Sequence, residues 1–364
     1  MTSPSHHLVG IAIVSLLSLP TITFADPALD QGLERLSGAV AEVLQQQAED
    51  SISVGDFVAT HLPNASGGAG LKKLIADALA KKGIKVSAAA KLQLLGRFAV
   101  PLEKNKGESF DSVALKISAS IVDRNDQEIA KPNISVFTDD ALLFSGASGN
   151  IPPTNAPPEE REKAKADAIR NPSVAAVGNQ TRTDADSPFG IEILVSRGSN
   201  QESRPPQVKT VEGAGQMAFV KLAEGEEYIV RLHNQSDEEA AVVLTIDGLN
   251  MFTFSKEGTF GGQVLVAKGT HVDIPGWAVN ETDSDAFEVS NYAKSAAASL
   301  GKPITDVGTI SAAFFTTGVA SAKTLADDPL ATKRGRRIGK KYVLEPREIK
   351  DQECVISVRY ERGN

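Results

Sequence analysis

The chain has 364 residues, 41% of them hydrophobic and 23% charged, proportions that exclude wholesale disorder, a collagen-like repeat and an integral membrane bundle. Lys and Arg total 38 against 46 Asp and Glu, a net charge of −8, which argues against a dedicated nucleic-acid binder, since neutralising phosphates needs a basic surface. The single cysteine, Cys354, can close no intrachain disulfide and build no cysteine-rich zinc site. The length points to two domains.

Residues 8–19 read LVGIAIVSLLSL, an apolar run too short to span a bilayer, which takes about 20 apolar residues. Pro20 breaks it, and Thr23-Phe24-Ala25 places small residues three and one positions before Asp26. This is the layout of a secretory signal peptide over 1–25, cleaved after Ala25. The alternatives are an uncleaved anchor and a buried core helix. No cysteine stands at the cleavage point, so the expected product is periplasmic or secreted, is not a lipoprotein, and has no membrane span after cleavage.

Over 29–147 the pattern predicts an α/β layer. Leu29, Leu33, Leu36, Val40, Val43 and Leu44 form one face of a long amphipathic helix. SISVGDFVAT (51–60) alternates as a strand, and the small-residue loop NASGGAG (64–70) leads into a second helix with Leu71, Leu74, Ile75 and Leu79 on one face. Gly83 stops it. KLQLLGRFAV (91–100) and SVALKISASIVD (112–123) read as strands, with a turn at Arg124-Asn125-Asp126. The Val54–Phe57 strand, the Gly83–Val86 turn, Leu94-Leu95-Gly96-Arg97-Phe98 and the strand ending Ile121-Val122-Asp123 together resemble the α/β domain of curli-secretion and flagellar-assembly envelope proteins. That domain is similar to the TolB amino-terminal domain. The resemblance implies a non-enzymatic envelope component that binds other proteins or assembles. Many members of that group are lipoproteins, and this chain lacks their anchoring cysteine.

Residues 148–187 hold Pro152, Pro153, Pro157, Pro158 and Pro172 and no aromatic residue. With EEREKAKADAIR (159–170) in the middle, the segment is expected to be a Pro-rich linker carrying at most a solvated helix. Beyond it, over 188–361, short runs rich in Val, Ile, Leu and aromatics alternate with turns at Asn234–Asp237, Asp247-Gly248, Lys268-Gly269 and Pro275-Gly276. They predict an antiparallel β-sandwich, with a short helix or loop at 293–300 and a mobile basic insertion at 316–341. The expected fold class is therefore α+β. SPFGIEILV, YIVRLHNQS, VVLTIDGLNMFTF, IPGW and VGTISAAFF resemble a family of exported proteins of planctomycete bacteria, a likeness that implies no particular activity.

Chemistry-bearing residues are sparse. A nucleophilic triad needs a base beside its nucleophile, but beyond the leader there are only His61, His233 and His271 and no Gly-x-Ser-x-Gly elbow. His233 and His271 are expected at the surface or at a sheet edge, and Cys354 as a small buried hydrophobe. Gly67, Gly68 and Gly70, with Lys72 and Lys73, could cradle an anion at a helix start, or simply connect strand to helix. Glu281, Asp283 and Asp285 alternate as calcium ligands can, without the glycine and glutamate of an EF-hand, and also suit a solvated loop. Trp277 could stack on a sugar or fill the core. Lys333, Arg334, Arg336, Arg337, Lys340 and Lys341 form a basic run without aromatics for base stacking, suited to an anionic surface polymer or to a solvated arm. The leading expectation is an exported, non-enzymatic envelope protein that binds or scaffolds an envelope protein partner, with no cofactor and no metal. A carbohydrate- or ligand-binding module and a carboxylate-dependent hydrolase are the alternatives.

Overall fold

A computed structural model describes residues 11–15, 27–60, 67–104, 111–138, 140–153, 155–197, 200–212, 215–255, 262–289, 308–319, 337–339 and 342–362. Strand β1 (Ile11–Ser15) comes first, then helix α1 (Pro27–Gln46), β2 (Ser51–Ala59), α2 (Gly68–Lys81), β3 (Lys85–Val86), β4 (Gln93–Ala99) and β5 (Leu102–Lys104). They are followed by β6 (Asp111–Val122), β7 (Glu128–Ala130), β8 (Asn133–Phe137), α3 (Ala141–Ser145), β9 (Gly149–Asn150) and α4 (Pro158–Arg170). Next are β10 (Ala175–Val177), β11 (Gln180–Arg182), β12 (Phe189–Arg197), β13 (Asn200–Arg204), β14 (Gln207–Val211), β15 (Gly215–Leu222) and β16 (Glu227–Asn234). The remainder are β17 (Ala240–Ile246), β18 (Leu249–Asn250), β19 (Val264–Val266), β20 (Thr270–Ile274), β21 (Gly276–Ala278), β22 (Asp283–Glu288), β23 (Thr309–Val319), β24 (Arg337–Gly339) and β25 (Tyr342–Arg362). With 51% strand against 20% helix, the protein is a β-rich α+β structure.

The heptad-like spacing of α1 buries Leu29, Leu33, Leu36, Val40 and Leu44, and α2 buries Leu71, Leu74, Ile75 and Leu79. Both stripes share a core with Phe57, Leu94, Phe98, Leu115 and Ile117 of a seven-stranded sheet ordered β3-β2-β4-β6-β5, with β7 and β8 on β6. β2 runs parallel to β3 and β4, and α2 supplies the crossover that parallel neighbours require. Gly83, at φ +80°, ends α2. Its N–H bonds to Ala80 O and that of Ile84 to Leu79 O, the paired bonds of a left-handed helix stop.

Two nine-stranded sheets follow. One is ordered β1-β19-β17-β23-β25-β15-β14, with β18 on β17 and β9 on β25; the other is β10-β11-β12-β16-β22-β21, with β13 on β12, β20 on β16 and β24 on β22. Between them Ile191, Ile193, Val230 and Leu232 meet Val242, Leu244, Phe314, Ile356 and Val358. The intervening residues of the first sheet, Ala241, Val243, Leu265, Ala313, Phe315 and Val355, point to its opposite face and join the core of α1 and α2. All seven residues of β17 are buried, as expected of a strand covered on both faces.

Several expectations are corrected. The segment expected as a linker is folded: β9 pairs with β25, β10 and β11 lead into β12, and α4 packs Ala166 and Ala168 into the first core. Small alanines do what bulky groups were expected to do. Arg161 bonds Pro152 O, and Glu162 Oε2 accepts from Val113 N at 2.9 Å, tying α4 to β6. The first large sheet is not wholly antiparallel, because β15 runs parallel to β25. Residues 316–319, assigned to a mobile insertion, lie in β23, and 337–339 form β24 on β22. The expected helix or loop at 293–300 lies outside the described residues. Among the described residues no helix is long and apolar enough to cross a membrane.

Gly70 is where the α2 side meets the large sheet. A Cβ there would stand 1.8 Å from the carbonyl oxygen of Gly248, in the turn between β17 and β18. Gly70→Ala should therefore lose about 1–3 kcal/mol to overpacking, against a helix-propensity gain of up to about 1 kcal/mol. Urea denaturation checks it, and an unchanged midpoint would mean that α2 does not abut this turn.

Candidate functional site

Among the described residues, those singled out by sequence do not assemble into one site. Trp277 is buried at 9% exposure, with its ring edge-to-face against Phe254 at 5.1 Å and Phe287 at 5.2 Å. It is core, and no ring face is offered to a sugar. Asp285, opposite Trp277 in the β21–β22 hairpin, is also buried, whereas Glu281 is exposed and Asp283 accepts from Asn280 Nδ2 at 3.0 Å. Asp285 lies farther along β22 from the turn that holds Glu281. Among the described residues no group of three or more His, Cys, Asp or Glu is placed to hold a metal.

The glycine loop is closely packed. Gly67 and Gly68 are buried, and a Cβ on Gly67 would stand 2.6 Å from the Phe144 ring. Lys72 pairs with Asp56 at 3.3 Å and Lys73 with Asp77 at 2.6 Å, so both cations are engaged along the helix and strand. In the basic run, Arg337 pairs its backbone opposite Asp285; Lys333, Arg334, Arg336, Lys340 and Lys341 lie outside the described residues.

A dense polar constellation lies on the outer face of the β12–β16–β20 strands. In each strand the alternation that turns Ile191, Ile193, Val230, Leu232, Val272 and Ile274 inward turns Glu192, Arg231, His233, His271 and Asp273 the other way. The register sets Arg231 opposite both Glu192 and Asp273, and His233 opposite both Gly190 and His271. Arg231 grips Asp273 with two bonds of 2.6 and 2.9 Å and stands 3.9 Å from Glu192. Gly190 matters here: a Cβ would meet Gln180 Oε1 at 2.8 Å, so its absence lets Gln180 reach across.

That reach fixes the histidine. Arg182 Nε donates to Gln180 Oε1 at 2.9 Å, which turns the Gln180 amide nitrogen toward His233 Nδ1 at 3.3 Å. Nδ1 is then an acceptor, and Nε2 carries the proton donated to Glu192 Oε2 at 3.0 Å. Ser203 donates to the other oxygen of Glu192. The sequence thus runs serine–glutamate–histidine, not serine–histidine–acid, and both ring nitrogens are occupied within the sheet. His233 was expected at the surface or at a sheet edge, but β16 is paired on both sides, by β12 and β20. His233 is 7% exposed, and burial pushes its pKa below the usual 6.5, with Glu192 pulling the other way. The Arg231-x-His233, His271-x-Asp273 and Glu192 positions share the outward phase of their strands, which is the signal that marks them in the sequence.

Elsewhere the titratable groups serve the frame. Asp247, at φ 52°, accepts from Gly308 N and Thr309 N at 2.6 and 3.1 Å and from Tyr360 Oη at 2.6 Å. Burial, with Asp247 nearby, holds the Tyr228 and Tyr360 phenols well above their ordinary range. Burial also pushes the Cys354 thiol up, which suits the buried hydrophobe expected there. A groove of about 390 Å³ runs between α1 and β8, lined by Arg35, Leu36, Ala39 and Ile134 among others, and it contains no carboxylate. No protein-family model matches the chain, and no curated protein does.

A histidine held neutral contributes stability that is full above its free pKa of 6.5 and is lost as pH falls toward the lower folded value. The denaturation midpoint should therefore drop more steeply below about pH 6.5 in the wild-type protein than in His233→Gln. Equal slopes would show that the ring is not kept neutral.

Proposed function

We propose that the protein is an exported component of the cell envelope, periplasmic or secreted, that binds or scaffolds a protein partner and catalyses no reaction. The export part of the reading comes from the apolar run at 8–19 followed by Thr23-Phe24-Ala25, and the absence of a cysteine there leaves it without a lipid tether. The architecture that goes with it is an amino-terminal α/β layer like that of the curli-secretion and TolB-type envelope domains. A carboxy-terminal β-sandwich like that of the planctomycete exported proteins completes it.

One observation carries the non-catalytic part. The best-placed base among the described residues, His233, has its lone pair taken by Gln180 and its N–H by Glu192. A general base must present that lone pair to a substrate proton, and here the sheet itself consumes it. Charged residues around it are paired in the same way, as in the two-bonded Arg231–Asp273 bridge. A satisfied polar face of this kind suits recognition and solubility better than turnover.

The test is a turnover screen of the purified chain and of His233→Ala against ester, glycoside and phosphoester substrates, beside affinity capture from envelope extract. The expected result is no turnover that depends on His233 and a specific protein partner retained equally by both forms. A hydrolytic activity abolished by His233→Ala would overturn the reading.

A further inference from the structure

The export reading has a consequence for the first large sheet. β1 lies inside the stretch read as the leader, yet it is paired on both sides. It runs parallel to β25 from Ile11 opposite Tyr342 to Ser15 opposite Pro346, and antiparallel to β19 through Ala12 opposite Leu265 and Ile13 opposite Val264. β19 pairs onward to β17, β17 to β23 and β23 to β25. β1 therefore closes a circuit of five strands. Among the described strands, residues 342–346 of β25 take ladder partners from β1 alone, since β23 begins to pair with β25 only at Arg347.

Cleavage after Ala25 removes β1 and leaves α1, which starts at Pro27. What remains is a gap one strand wide, bounded by 264–266 on one side and 342–346 on the other. Backbone N–H and C=O groups that lose their partners in such a place cost free energy until something pairs with them. Two edges facing each other across one strand's width form a template for strand addition. We propose that the mature protein carries a strand-acceptor slot here, occupied by an extended, uncharged, apolar segment of its protein partner. This rests on the export reading above.

The chemistry of the occupant follows from the slot. The strand that fits it is IAIVS, uncharged, with three β-branched residues and neither proline nor glycine. Val264, Leu265 and Val266 are all buried, so a charged strand would be desolvated beside them without compensation. A proline in the occupant would delete a ladder donor. On the β25 side the ladder ends at Pro346, which has no N–H to give, so the slot is about five residues long. A second copy cannot fill it with the same segment, because its leader is removed too. The occupant comes from another polypeptide.

The test uses the chain expressed with its own leader and purified after export. Intact mass gives its first residue, and hydrogen exchange follows the amides of 343–345, which have no ladder partner but β1 among the described strands. The probe is the peptide GIAIVSL, residues 10–16, flanked by lysines for solubility, with an Ile13→Pro peptide as control. The expected result is a chain starting at Asp26 whose amides in this stretch exchange freely and slow by roughly tenfold or more with the peptide, but not with the proline control. A chain starting at Asp26 whose amides are already protected, or ignore the peptide, would overturn the slot and leave export standing. A chain that keeps residues 1–25 would overturn both, and the mass alone distinguishes that case.

Discussion

A β-sheet whose two faces are both apolar cannot exist uncovered, and in this protein that sheet is the one built on β17, β23 and β25. Its alternate residues serve different cores: Val242, Leu244, Phe314 and Ile356 on one side, Val243, Leu265, Phe315 and Val355 on the other. The second set alone has four large side chains, and burying each fully contributes about 1.5–3 kcal/mol, or roughly 6–12 kcal/mol together. That is comparable with the whole net stability of a domain, about 5–15 kcal/mol. The layer carrying α1 and α2 is therefore a structural requirement of the sheet beside it.

The cover is fitted with unusual closeness where helix meets turn. α2 reaches the Asp247-Gly248 turn because Gly70 has no side chain, and that turn is held in place by Asp247, which takes the N–H groups of Gly308 and Thr309 and the hydroxyl of Tyr360. On the same side α4 lies close enough to β9 that a Cβ on Gly149 would stand 2.4 Å from that of Ala168. Polar groups complete the seal, with Ser148 Oγ accepting from Ser357 N at 2.9 Å and Arg359 donating to Gly146 O at 3.1 Å. Burial pulls the Arg359 guanidinium down to about 10.

The long periodic elements were legible in the sequence because their signals are local. The stripe of α1, the glycine stop of α2 and the alternating strand at 111–122 each depend on a few neighbouring residues. AAVVLTI was legible as a strand, but its lack of alternation also says that both faces are covered, and that second meaning is what was missed. The segment 148–187 looked like a linker because helix α4 contributes alanines and the stems of Arg161 and Lys165 to the interior, groups that carry little hydrophobic signal. Parallel pairing of β15 with β25 is a non-local fact with no local trace. The same holds for the outer polar face: the phases of Glu192, Arg231, His233 and Asp273 are readable strand by strand, but their meeting depends on a sheet order no short window contains. Trp277 packs against Phe254 and Phe287 and the glycine loop against Phe144, contacts made by tertiary structure that no short window of sequence contains.

β25 is also the last of the described elements in chain order. It lies C-terminal to every strand it pairs with, bridging β23 to β15 and receiving β9 from far upstream. Contacts that span so much chain must pay loop-closure entropy before they return any stability. β25 carries Val355 into one core and Ile356 and Val358 into the other, so both are completed only when it docks.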